Sequence, residues 1–95
     1  MSDAIRVTNL RFTAASESEV ARGLIGWVAL ELNEALKIQG VAFRRTVDGR
    51  YTLSFPARPD GQGGKRFYVR PLDDRARRDL EHQVLQALNI EEAPR

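Results

Sequence analysis

The sequence predicts an α+β fold: an antiparallel meander of about five strands closed by one C-terminal α-helix, assembled as a dimer. Three observations predict it. Apolar residues alternate with polar ones through most of the chain up to Arg70. Turn signals such as Asp48-Gly49 separate those runs. After Asp73-Asp74 the pattern changes, and Ala76, Leu80, Val84, Ala87 and Leu88 recur at helical spacing.

The elements follow in order. Ile5–Thr13 reads as a strand in which Ile5 and Val7 share one phase and Leu10 and Phe12 the other. A one-residue slip in a two-residue period predicts a bulge near Thr8–Asn9. Ala14–Ala21 is small, polar and acidic, and reads as a loop in preference to a short helical turn. Arg22–Leu32 is the most apolar segment. Gly23 and Gly26 argue against a helix, and Trp27 and Val28 favour a strand. With apolar residues in both phases it reads as a central strand covered on both faces, or with one face in a dimer interface.

Asn33–Glu34 is a turn candidate. Ala35–Val47 is the next strand, and a phase slip between Ile38 and Val41 predicts a second bulge at Gln39–Gly40. Asp48–Gly49 predicts a two-residue type I′ hairpin, whose central residues both need positive φ. Tyr51–Phe55 is its partner strand. Pro56–Gly64, with its prolines and glycines, reads as a flexible loop that cannot sustain a ladder. Lys65–Arg70 reads as the last strand, stopped by Pro71. Asp73 or Asp74 supplies the N-cap of a helix that runs to Leu88. Residues 1–88 read as one domain, and 89–95 as a short acidic tail that frays.

Charge is the most informative property. The 95 residues carry a net +2, yet residues 44–78 hold 10 basic and 4 acidic side chains, a net +6. Residues 1–43 are net −1 and residues 79–95 net −3. Such a concentration marks a candidate polyanion site. It comprises Arg44, Arg45, Arg58, Lys65, Arg66 and Arg70 from strand ends and the long loop, and Arg75, Arg77 and Arg78 from the helix start. The planar fork of arginine suits phosphate and base edges. Positive charge at a helix N-terminus opposes the dipole. Solvated intrahelical pairing is the competing explanation: Arg75 with Asp79 and Arg77 with Glu81 both stand at i, i+4. Arg78 then has only Glu81 in reach, so it leads the set. Tyr68 stands among these cations, where an aromatic ring can stack on a base.

Other chemistry is not favoured. No cysteine is present, which excludes thiol catalysis, zinc fingers and disulfides and suits a reducing compartment. The single histidine, His82, sits among charged helix residues. No serine has the context of a nucleophile, and no His/Asp/Glu set has metal-ligand spacing. Gly61-Gln62-Gly63-Gly64-Lys65 lacks Walker spacing and precedes a strand rather than a helix. No enzyme activity, cofactor or metal is expected. No apolar run approaches the roughly 20 residues of a membrane span, and the N-terminus lacks the pattern of a secretory signal, so a cytoplasmic protein is expected.

The order of these motifs resembles the SpoVG family, bacterial regulators of septation and sporulation. The resemblance runs from about Ile5 to Leu88. It is carried by Ala35-Leu36-x-Ile38-x-Gly40-Val41, then Asp48-Gly49, Phe55-Pro56-Ala57-Arg58, Arg70-Pro71-Leu72 and Asp73-Asp74-Arg75. It differs from the family at Arg70, where a histidine is usual before the proline. The resemblance implies a small cytoplasmic homodimer that binds DNA, and in some members RNA. It further implies nucleic-acid contacts at Asp74–Arg78 and a dimer formed through Leu24–Val41. The expected function is therefore a nucleic-acid-binding regulator of gene expression or division. The alternative is a protein-interaction module whose basic surface meets an acidic protein partner.

Overall fold

The structure, a computed structural model, describes residues 5–90. Four strands form one antiparallel sheet in chain order: β1 (Val7–Ala14), β2 (Leu24–Leu32), β3 (Leu36–Arg45) and β4 (Tyr51–Ser54). A short helix, α1 (Glu17–Ala21), joins β1 to β2. β5 (Ala57–Pro59) and β6 (Lys65–Phe67) form a separate two-stranded ribbon, and α2 (Asp74–Ala87) follows. The α+β class and the meander are as expected, with the fifth strand displaced from the main sheet into the ribbon. The expected acidic tail falls mostly outside the described residues. Among the described residues no helix is long and apolar enough to cross a membrane.

The core lies between one face of the sheet and α2. Val28 and Leu30 of β2, Val41 and Phe43 of β3, and Leu53 of β4 pack with Leu80, Val84 and Leu85 of the helix. The helix stripe runs through Leu85 rather than Ala87, which is exposed. Gln83 ties the helix to the sheet's first strand. Its side chain accepts from the Val7 N–H at 2.8 Å and donates to the Ile5 carbonyl at 2.7 Å. Asp73 is the N-cap, its carboxylate accepting from the Ala76 N–H at 2.8 Å.

Both expected bulges are present. The β1–β2 register shifts between Thr8 and Arg11, with Asn9 at φ 52°. The β2–β3 register shifts where Val28 and Leu30 face Val41 and Ile38, so that Gln39 and Gly40 together oppose Ala29. Each bulge returns the apolar phase to the helix side, so one core face survives along both strands. The opposite face carries the row Thr13, Trp27 and Ala42, half-buried except for exposed Thr13. β2 is thus central, as expected, but among the described residues α2 covers only its other face.

Three local expectations are corrected. Ser16 and Glu19 form a reciprocal capping box, so part of the expected loop Ala14–Ala21 is the helix α1. The backbone bond from the Ser16 N–H holds the Glu19 carboxyl below its usual range. The β3–β4 connection is not the two-residue type I′ turn. Of Asp48 and Gly49, only Gly49 has positive φ, at 87°. Its N–H reaches the Thr46 carbonyl at 3.0 Å and the Thr46 N–H reaches the Arg50 carbonyl at 2.7 Å, giving a three-residue loop with a left-handed glycine. The Thr46 hydroxyl bonds the Asp48 carboxylate, which lowers that carboxyl's pKa and fixes the wider turn. Positive φ at two successive residues occurs instead at Asn33 (54°) and Glu34 (55°), and the Ala35 N–H closes that turn on the Leu32 carbonyl at 3.0 Å.

The third correction is the largest. Ala57–Pro59 pairs with Lys65–Phe67, so the segment taken as an unpaired loop supplies a strand. Pro59 is tolerated because a ribbon edge does not require its N–H. The ladder ends at Phe67, three residues before Arg70.

Candidate nucleic-acid interface

All nine cations expected from the sequence are exposed: Arg44, Arg45, Arg58, Lys65, Arg66, Arg70, Arg75, Arg77 and Arg78. The fold sorts them into groups rather than one patch. The register of each strand and the start of α2 decide the sorting.

The first group surrounds a groove of about 400 Å³ between β6, the end of β4 and the start of α2. Leu53, Phe55, Phe67 and Leu72 supply apolar lining, and Lys65, Arg70 and Arg77 supply positive charge. That volume falls within the range of roughly 300–1,000 Å³ common for ligand clefts. Asp73 and Asp74 also line it. Arg77 donates to the Asp74 carboxylate at 3.0 Å, so part of its charge is neutralised locally.

Arg77 also borders a second hollow of about 300 Å³ with Arg78, Arg50 and Tyr51. Arg50 is a cation that the sequence reading passed over. Its place beside the Asp48-Gly49 turn, inside the basic third of the chain, was the available signal. Glu81 is engaged elsewhere, accepting from the Thr52 hydroxyl at 3.0 Å. The expected pairs Arg75–Asp79 and Arg77–Glu81 are therefore not those that form. Among the described residues Arg75 and Arg78 have no ion-pair partner. They stand at i, i+3 on one exposed flank of the helix.

The remaining cations point elsewhere. Arg58 and Arg66 are direct cross-strand partners in the ribbon, alternating with Phe67 and Lys65, which border the groove. Arg44 alternates with buried Phe43 and so lies on the open sheet face. Arg45 sits over the Tyr51 ring, 5.8 Å from its centroid, a cation–π contact at the sheet's far end. Tyr51 in turn stacks on Phe43 with ring centroids 5.3 Å apart.

The segment between ribbon and helix is unusually bare. Phe67, Tyr68, Val69 and Leu72 are all exposed, Tyr68 at 69% and Leu72 at 90%. The strand expected over Lys65–Arg70 would have buried one side of this segment. As folded, it presents aromatic and aliphatic side chains to solvent beside Arg70.

No group of three or more potential metal ligands occurs among the described residues. No protein-family model matches the chain, and no curated protein is significantly similar to it.

Proposed function

We propose that this protein is a nucleic-acid-binding regulator that acts as a cytoplasmic homodimer. The observation that carries the reading is the exposed, unpaired pair Arg75 and Arg78 at the start of α2, beside a groove edged by Lys65, Arg70 and Arg77. Cations with no ion-pair partner among the described residues are free to replace the counterions condensed on a phosphate backbone. The SpoVG-like order of motifs supports the same reading, since it assigns nucleic-acid contacts to Asp74–Arg78. The dimer is supported by half-buried Trp27 on the sheet face that α2 leaves open, a residue within the implied interface Leu24–Val41. Two-fold symmetry would present two such cationic flanks to one polymer.

Charge reversal tests it. Arg75→Glu with Arg78→Glu weakens binding to unrelated duplex DNA in a fluorescence-anisotropy titration and reduces its salt dependence. Each lost phosphate contact lowers the slope of log affinity against log salt by about 0.9. Unchanged affinity and slope would sink the reading.

The exposed strip Phe67, Tyr68, Val69 and Leu72 favours a second reading, a protein-interaction module for an acidic partner. That module would ignore random duplexes at low salt.

A further inference from the structure

The two basic elements of this molecule differ in what surrounds their charge. At the start of α2 the cations are interleaved with acid. Asp73 and Asp74 line the groove, and Asp74 holds Arg77. On the ribbon no carboxylate accompanies the cations. Its strands consist of Ala57, Arg58 and Pro59 opposite Lys65, Arg66 and Phe67. The acid that joins its strands, Asp60 at the tip, accepts from the Gln62 N–H at 2.8 Å and the Gly64 N–H at 3.0 Å.

The ribbon is also unsupported. No Cα of β5 or β6 lies within 8 Å of a Cα of any other strand or helix. Its strands are three residues each, and Arg58 faces Arg66 directly across the ladder. Like charges directly opposite in an antiparallel pair are destabilising, and an isolated hairpin is marginal in water. Folding alone gives no reason to place two guanidinium groups there. An anionic surface brought against that face removes the repulsion and supplies the reason.

We propose that the β5–β6 ribbon, through the opposed pair Arg58 and Arg66, enters the major groove of duplex DNA. The proposal rests on the nucleic-acid reading above and names the polymer and the element that reads it. A two-stranded ribbon fits a groove about 12 Å wide, and arginine there meets guanine O6 and N7 with both arms of its fork. The opposed arginines lie on an exposed ribbon that keeps its backbone apart from the sheet and helix, so in this arrangement they meet the base edges while Arg70, Arg75 and Arg78 meet the flanking phosphates. The helix start then positions the protein on the backbone and the ribbon makes the base contacts.

The test compares the wild type with Arg58→Thr/Arg66→Thr and Arg58→Lys/Arg66→Lys, using anisotropy with a guanine-containing duplex and its separate strands, thermal melting, and dimethyl sulfate protection of guanine N7. The threonine variant is expected to melt no lower than the wild type, bind the duplex about tenfold or more weakly, and lose N7 protection. The lysine variant is expected to keep most of the affinity and part of the protection, because an ammonium still reaches guanine N7 but lacks the planar fork. Threonine variants that keep both affinity and protection overturn the proposal. So does a lowered melting temperature that accounts for the lost binding. A wild type that binds single strands but not the duplex overturns it while the nucleic-acid reading stands. A wild type that binds neither polymer at low salt removes that reading as well.

Discussion

Phe43 and Phe67 are the same residue in two regions built on opposite terms. Phe43 is 1% exposed, held between the edge of the Phe12 ring and the face of the Tyr51 ring in the middle of the sheet. Phe67 is 44% exposed, on a ribbon that borders the groove beside β4 and α2 without packing into the core. The sheet and α2 keep their apolar surface from water and hold the fold. The ribbon and the segment after it present apolar and basic side chains outward and contribute little to stability. Residues that do not stabilise the fold are the ones whose presence calls for a partner.

The comparison is sharpened most by truncating both rings. Phe43→Ala is expected to cost about 3–5 kcal/mol, because it removes buried surface and leaves a cavity. Phe67→Ala is expected to cost about 1 kcal/mol or less. Urea titrations of the two variants measure the difference, and similar losses would show that the ribbon belongs to the core. Between these extremes lies the junction of the two regions. Asp73→Ala removes the carboxylate that caps α2 and should cost about 1 kcal/mol, read as a lowered melting temperature. The smallest effect is at the ribbon tip. The Gln62 and Gly64 amides hold the Asp60 carboxyl below its usual range. A carboxyl whose folded pKa is depressed stabilises the tip above the ordinary aspartate value of about 4, and that contribution is lost as pH falls through the folded pKa. The amide proton shifts of Gln62 and Gly64 in an acid titration should therefore move with a midpoint below that of a free aspartate.

Much of the sheet was legible because its signal is periodic. The bulges at Asn9 and Gly40 could be located from the change of apolar phase alone, since a strand with one buried face cannot slip register without correction. The turns were harder, because a dipeptide specifies a turn only together with what flanks it. Thr46 and Asp48 bond each other and widen the loop, while Asn33 and Glu34 adopt the positive φ expected at Asp48-Gly49. α1 ranked behind a loop because a five-residue helix has no period to detect, although Ser16 and Glu19 carried its cap. The strand Ala57–Pro59 was missed because proline and glycine were weighed as breakers, whereas a ribbon edge tolerates them.

The candidate site divides in the same way. Composition located the basic third and named its exposed cations except Arg50. It could not show that Arg58 and Arg66 would face each other, because that juxtaposition depends on a pairing the composition argued against. Nor could spacing reveal that Glu81 would turn to Thr52 while Arg77 pairs with Asp74 instead.

The hydrogen bonds of Gln83 join nearly the last element of the chain to the first. That closure has a consequence for biosynthesis. Until α2 has left the ribosome, the chain can pair its strands but cannot roof them, and Val28, Leu30 and Val41 stay exposed to solvent on one side. The sheet's core face is therefore completed only after α2 has emerged. A nascent or C-terminally shortened chain presents an apolar sheet for chaperones to hold.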